Sequence, residues 1–262
     1  MPSAEKPLVY LILGTTGSGR REIIADLIEG GLDETDRAAV LLPAGEGENA
    51  IDVKLPGVTR WEWSEGVIVG TLPAGANRVF FVTDGACSAV DQIEVFKAWL
   101  EAQGGELARV LCVVNAQLAA RLPPLLAWFE ACIHFSDVVL INKREGIKNK
   151  WLSEFLNHFK KLHLPCLFEM VRDDRVKNPA LILEPQARRM SQVFDEEQDW
   201  VFKNAEGEVI DEFDEGDAAD EEIEAAPAED PYFARRNGGR RVLELPDIAS
   251  FLRADAITPP PP

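Results

Sequence analysis

Six short apolar runs recur along the first two thirds of this chain, and the segments between them carry apolar residues at helical spacing. The runs are LVYLIL (8–13), AAVLL (38–42), RVFFVT (78–83), RVLCVV (109–114), DVVLIN (137–142) and CLFEM (166–170). Continuous apolar runs of this length, without polar alternation, suit strands covered on both faces, the setting of a parallel sheet. Between them, REIIADLIEGG lines up Ile23, Ile24, Leu27 and Ile28 on one stripe and stops at Gly30 and Gly31. SAVDQIEVFKAWLEAQGG opens with Ser88 and Asp91 in capping-box spacing and sets Ile93, Phe96 and Leu100 on one face. KNKWLSEFLNHFKK repeats the design with Trp151, Leu152, Phe155, Leu156 and Phe159, aromatics at core spacing. Strand and helix in alternation predict an α/β fold: a doubly wound, mostly parallel sheet flanked by helices.

Length and charge define the organisation around that core. With 262 residues and 46% hydrophobic content, the chain supports one sizeable core and an appendage. The formal charge of −18 is unevenly spread: Asp195–Asp230 holds 17 acids against one base, Lys203, leaving the rest close to neutral. A near-neutral body with an acidic block argues against a nucleic-acid or membrane surface, and the block reads as a solvated linker. The expected layout is a domain over 1–190, an acidic linker without fixed structure over 191–230, and a short patch with a Pro-rich tail over 231–262. Within that patch, RRVLELPDIASFLRA (240–254) predicts one strand and one short helix. MPSAEKP and the apolar run behind it are too short for a signal segment or membrane span, so a cytoplasmic location is expected. Cys87, Cys112, Cys132 and Cys166 form no paired motif and read as reduced thiols, and His134, His158 and His163 have no metal-ligand spacing.

The chemistry concentrates in GTTGSGRRE, residues 14–22. It follows a predicted strand and opens a predicted helix, the context in which backbone N–H groups and a helix N-terminus attract phosphate. Gly14, Gly17, Ser18, Gly19, Arg20 and Arg21 are the candidate phosphate-binding residues. In the pattern GxxxxGK[ST], a lysine reaches the β- and γ-phosphates and the next hydroxyl ligates magnesium. Here arginine occupies both positions. A planar guanidinium is no equal substitute for an ammonium, and Arg21 would repel a metal cation. Weak phosphate binding and a ligand-free structural turn are both open readings of the loop.

With its elements in this order, the chain resembles the CobW, HypB and UreG group of P-loop GTPases, CobW most closely, over roughly residues 8–185. Four stretches carry the resemblance. The loop is the first. WSEGVIVGTL (63–72) is similar to the family's Asn-Gly-Cys-Ile-Cys-Cys-Thr-Leu metal motif, with Val67, Val69 and Gly70 in the cysteine positions. VFFVTDGACSA (79–89) is similar to Ile-Glu-Thr-Ser-Gly, keeping Thr83 and Gly85, with Val82 in place of the acid and Asp84 as a candidate near magnesium or a cap of the following turn. FSDVVLINKRE (135–145) resembles the guanine reader, with Asn142 and Lys143 matching and Glu145 standing for its aspartate. PAGEGENAID (43–52) falls on the family's switch segment without assignable roles, and the family's larger C-terminal domain is expected to be absent or replaced by the acidic block and the short terminal patch.

What the resemblance implies is a P-loop NTPase-like protein whose ligand is GTP or GDP, weakly held, without firm magnesium binding and without zinc. Since each chemical stretch is altered while the framework is kept, the leading expectation is a degenerate GTP-binding protein that acts through an unknown protein partner. The alternative is an active GTP hydrolase with Arg20 in the lysine's place and Asp84 on the metal. A kinase of similar topology ranks last, having no recognisable acceptor site.

Overall fold

The computed structural model of the chain describes residues 6–195, 200–203 and 224–257. Two compact units emerge, one formed by residues 1–190 together with 245–262, the other by 191–244. Most of the acidic block singled out in the sequence lies outside the described residues.

In the first unit, β1 (Leu8–Gly14), β2 (Ala38–Pro43), β3 (Thr59–Ser64), β4 (Val67–Val69), β5 (Arg78–Val82), β6 (Glu106–Asn115), β7 (Val138–Asn142) and β8 (Leu167–Met170) form one sheet. Its order is β4-β3-β2-β5-β1-β6-β7-β8, and every pair is parallel except β3 with β4. Each of the six apolar runs has become a strand. The three periodic segments have become α1 (Arg20–Gly31), α2 (Ala89–Ala102) and α5 (Asn149–Lys161). Ser88 caps α2, its side chain accepting from the Asp91 N–H as the spacing predicts. This is a doubly wound α/β fold, its sheet mostly parallel and flanked by helices.

Alternate residues of the strands feed two faces. On one, Tyr10, Ile12, Val40, Leu42, Phe80 and Val82 meet Ile23, Ile24 and Leu27 of α1. Phe80 stacks on Tyr10 with ring centroids 5.0 Å apart. The same cluster takes in Ile182 and Leu183 of α6 (Pro179–Leu183), and the Tyr10 hydroxyl donates to the Leu183 carbonyl at 2.8 Å. On the other face, Phe81 lies between Trp61 of β3 and Phe96 and Trp99 of α2, with centroid distances of 4.8 to 5.0 Å. Burying such aromatic side chains stabilises the fold by about 1.5–3 kcal/mol each. Two buried ions brace the margin. Arg109 donates to the carbonyls of Leu181, Ile182 and Gln186, and Asp137 accepts from the backbone N–H groups of Val110 and Arg188 and pairs with Arg189.

Two parts of the first unit were not anticipated. Strands β3 and β4 form a hairpin joined by Glu65 and Gly66, both at positive φ (50° and 79°), as a two-residue hairpin turn requires. Residues 116–134 form α3 (Ala116–Arg121) and α4 (Leu126–His134) around Pro123 and Pro124. At the other end, α7 (Ile248–Ile257) forms within the predicted terminal patch, and residues 240–246 contain no strand. Ile248 is buried.

The second unit pairs β9 (Trp200–Lys203) antiparallel with β10 (Glu224–Pro227). It also closes a small loop through a bridge between Arg235 and Arg241.

Candidate functional site

The chain reverses its progression across the sheet at β1, since β2 and β5 lie to one side and β6 to the other. The crevice beyond the carboxyl ends of the strands at such a reversal is where open α/β sheets bind ligands. The glycine-rich loop occupies that point, between the end of β1 at Gly14 and the start of α1 at Arg20. Neighbouring strand ends hold it from several sides. The backbone N–H of Thr83, just after β5, donates to the Ile12 carbonyl at 3.1 Å. From the end of β6 the Asn115 side chain reaches the Gly17 carbonyl at 3.5 Å, and from the end of β7 Asn142 reaches that of Ser18 at 3.0 Å. Thr15 and Ser18 are fully buried, and their hydroxyls have no hydrogen-bond partner.

Both arginines turn inward. Arg20 is 3% exposed and Arg21 6%. Arg20 donates through Nη1 to the Thr83 carbonyl at 2.5 Å, and through Nη2 it pairs tightly with Glu46. Arg21 grips Asp52 with one nitrogen, at 2.9 and 3.0 Å, and donates with the other to the Gly47 carbonyl at 3.0 Å. Asp52 is shared with Arg60 at 2.9 Å. Burying one of these guanidinium groups alone would be costly, and the acids of residues 46–52 neutralise them. Glu46 and Asp52 belong to residues 43–52, to which the sequence assigns no roles. The signal available was local: three acids follow the second strand closely, and two adjacent arginines open the first helix.

Glu46 Oε1 also accepts from the Gly85 backbone N–H at 2.9 Å and from the Thr16 hydroxyl at 3.1 Å. Burial by itself would raise the Glu46 pKa, but the Arg20 charge and these hydrogen bonds outweigh it and hold the carboxyl below its ordinary value. The turn carrying Gly85 presses on the loop so closely that a Cβ there would lie 2.2 Å from the Thr16 nitrogen. Only glycine fits. Asp84 occupies the same turn, with Oδ1 accepting from the Ala86 N–H at 2.9 Å, a cap of the turn, and its backbone bonded to the Gln92 side chain.

The residues matched to a base reader divide. Asn142 Nδ2 and Lys143 Nζ converge on Asp174 Oδ1, each at 2.9 Å, and Lys143 adopts a left-handed φ of 52°. Burial would raise the Asp174 pKa, yet the Asn142 and Lys143 bonds and the Lys143 charge hold it below its ordinary value. Glu145 is exposed at the surface, where its backbone carbonyl accepts from Gln117. The carboxylate that meets Asn142 and Lys143 is therefore Asp174, from the turn after β8, which the sequence had not marked. Gly19 makes this junction possible, because a Cβ there would fall 2.3 Å from Asn142 Nδ2.

The stretch similar to a metal motif is the β3–β4 hairpin. Val67 and Val69 point to solvent at 53% and 51% exposure, while Gly70 packs on Trp61 and accepts from Trp99 Nε1 at 3.0 Å. None of these side chains can ligate a metal. Among the described residues no three His, Cys, Asp or Glu side chains gather where they could hold an ion. No described helix is long and apolar enough to cross a membrane. The cysteines are all free, with Cys87 partly exposed and the others buried.

No protein-family model matches the chain, and no curated protein matches it either. Among solved structures it is similar to the Zn(II)-bound YjiA GTPase from E. coli, with 12% identity, a TM-score of 0.39, and 76% of this chain and 71% of that one covered. It is also similar to the signal recognition particle receptor FtsY from Elizabethkingia anophelis in complex with GDP (14%, TM-score 0.44, 70% and 64% covered). A third is the cell division protein FtsY from Thermotoga maritima (17%, 0.41, 69% and 68%). The likeness concerns chain path, and the chemistry of the site rests on the residues described above.

Proposed function

We propose that this chain is a degenerate CobW-like GTP-binding-fold protein that holds guanine nucleotide weakly, does not transfer metal, and acts through contacts with a protein partner. The observation that carries this reading is the closed ion-pair network in which Arg20 and Arg21 are neutralised by Glu46 and Asp52. A lysine at the first position would offer a free charge to the transferring phosphoryl group, and a hydroxyl at the second would hold magnesium. Losing one well-placed stabiliser of this kind typically costs about a hundredfold or more in rate. Here both positions are altered, and Asp84 spends one carboxylate oxygen on its own turn.

The competing expectation of hydrolysis, with Arg20 replacing the lysine and Asp84 on the metal, would require both groups to leave these partners. Support for guanine as the base comes from Asn142 and Lys143 and from the carboxylate of Asp174 beside them. Calorimetric titration with GTP and GDP, with and without magnesium, and a phosphate-release assay test the reading. Weak binding insensitive to magnesium, without turnover, is expected. Micromolar, magnesium-dependent binding with turnover overturns it.

A further inference from the structure

The cradle at the loop contains an anion that belongs to the protein. One oxygen of Glu46 receives three donors of different kinds: the Gly85 backbone N–H at 2.9 Å, the Thr16 hydroxyl at 3.1 Å, and the Arg20 guanidinium. Its other oxygen lies 3.7 Å from Arg21 Nη2. The donors come from the glycine-rich loop, the first turn of α1 and the turn after β5, whereas Glu46 arrives on a short turn, Ala44–Glu46, behind β2. At 7% exposure the carboxylate is almost dry. Mixed backbone, hydroxyl and guanidinium donors around one oxygen at a helix start are what a phosphate oxygen seeks. The buried, partnerless hydroxyls of Thr15 and Ser18 leave the loop with hydrogen-bonding capacity that Glu46 does not use.

We propose that this is an oxyanion site closed by its own side chain, with Glu46 standing in for a tetrahedral oxyanion of the phosphate class that must displace it to enter. The inference rests on the phosphate-binding reading of Gly14–Arg21 and deepens it: affinity is low because the cradle is filled, and the donors themselves are intact. A ligand that binds only the open form has its apparent affinity reduced by the fraction of molecules in which Glu46 has withdrawn. Withdrawal has to break the Glu46 contacts with the Gly85 N–H, the Thr16 hydroxyl and Arg20. The occupant is then either the free ion or the terminal phosphate of a nucleotide.

The test titrates the full chain and its Glu46→Gln and Glu46→Ala variants with inorganic phosphate, GDP and GTP, using Glu48→Gln, at an exposed position two residues on, as the control that removes a neighbouring acid without emptying the cradle. Phosphate affinity is expected to rise about tenfold or more in both Glu46 variants, the scale of one charge-assisted hydrogen bond, and to stay near wild type in the control. A larger gain for GTP than for GDP identifies a terminal phosphate as occupant, and a gain for phosphate alone identifies the free ion. Unchanged or weakened phosphate binding in both variants overturns the proposal. Should neither variant fold by circular dichroism, the wild type decides: saturable shifts of the Thr16 and Gly85 amide resonances at high phosphate support displacement, and their absence refutes it. Brisk GTP cleavage by the wild type would overturn the functional reading instead. Variants that gain nothing beside a wild type that cleaves nothing would overturn only the role of Glu46.

Discussion

Asn142 Nδ2 lies 3.0 Å from the carbonyl oxygen of Ser18, tying the end of β7 to the glycine-rich loop across 124 residues of sequence. Asn142 is buried, and the same nitrogen holds Asp174. Replacing Asn142 with alanine strands a buried carbonyl and loosens Asp174. A loss of about 1–3 kcal/mol is expected in urea unfolding. A loss within error of zero would show that the tether contributes nothing.

The same junction makes two loop glycines unequal. Gly17 and Gly19 both have positive φ, 77° and 89°, but a Cβ on Gly17 meets nothing within 4 Å while one on Gly19 strikes Asn142. Gly17→Ala should cost about 1 kcal/mol, the left-handed backbone penalty alone, and Gly19→Ala at least about twice that. Equal unfolding midpoints for the two variants would contradict the packing described.

The arginines should also differ. Arg20→Ala leaves buried Glu46 without its principal counter-charge, whereas Arg21→Ala leaves Asp52 still paired with Arg60. Stripping one partner from a buried pair costs about 3–5 kcal/mol, so Arg20→Ala should approach that range and Arg21→Ala fall well short of it. Chemical denaturation of both variants checks the order, and the reverse order refutes the network as drawn.

Acid sensitivity follows from the sign of the Glu46 shift. Its folded pKa lies below the ordinary value of 4.5, so its contribution to stability is complete above about pH 4.5 and disappears as pH falls through the lower folded value. Asp174 is shifted in the same direction and adds a loss of the same sign, with an ordinary value of 3.8. The stability gap between wild type and Glu46→Gln should therefore be constant near neutrality and narrow in acid. Urea midpoints measured across that range would expose a gap that widens instead.

Cys87 gives an independent probe of the turn beside the loop. Burial, then the nearby charge of Asp84, pushes its thiol up to about 11. The thiolate fraction at mildly alkaline pH falls by about a hundredfold relative to an ordinary thiol, and alkylation of the native chain should slow to match. Mass spectrometry of labelled peptides, native against unfolded, measures this, and equal rates would place Cys87 in a different environment.

The framework was readable wherever strands are covered on both faces, because runs such as Leu8–Leu13 are short and bounded by breakers, here Pro7 and Gly14. β3 escaped notice since its burial alternates, with only Trp61 fully buried between Arg60 and Glu62. Leu122–Leu125, interrupted by two prolines and apolar on both sides, concealed the pair of helices around it. In the site, the loop was marked by its local spacing, and Asn142 by the resemblance of residues 135–145 to a guanine reader. The partners of the arginines were not, because Glu46 and Asp52 stand 26 and 31 residues away and nothing but the folded sheet brings them close. Asp174 was hidden for the same reason, 31 residues beyond Lys143.

The β3–β4 hairpin settles how one edge of the sheet terminates. A three-residue antiparallel strand offers too short a ledge for a foreign backbone to zip along, so the flank of an otherwise adhesive parallel array is blunted by brevity, even with two valines facing water. The stretch similar to a metal motif thus forms a hem of the kind that limits edge-to-edge pairing with a neighbouring molecule.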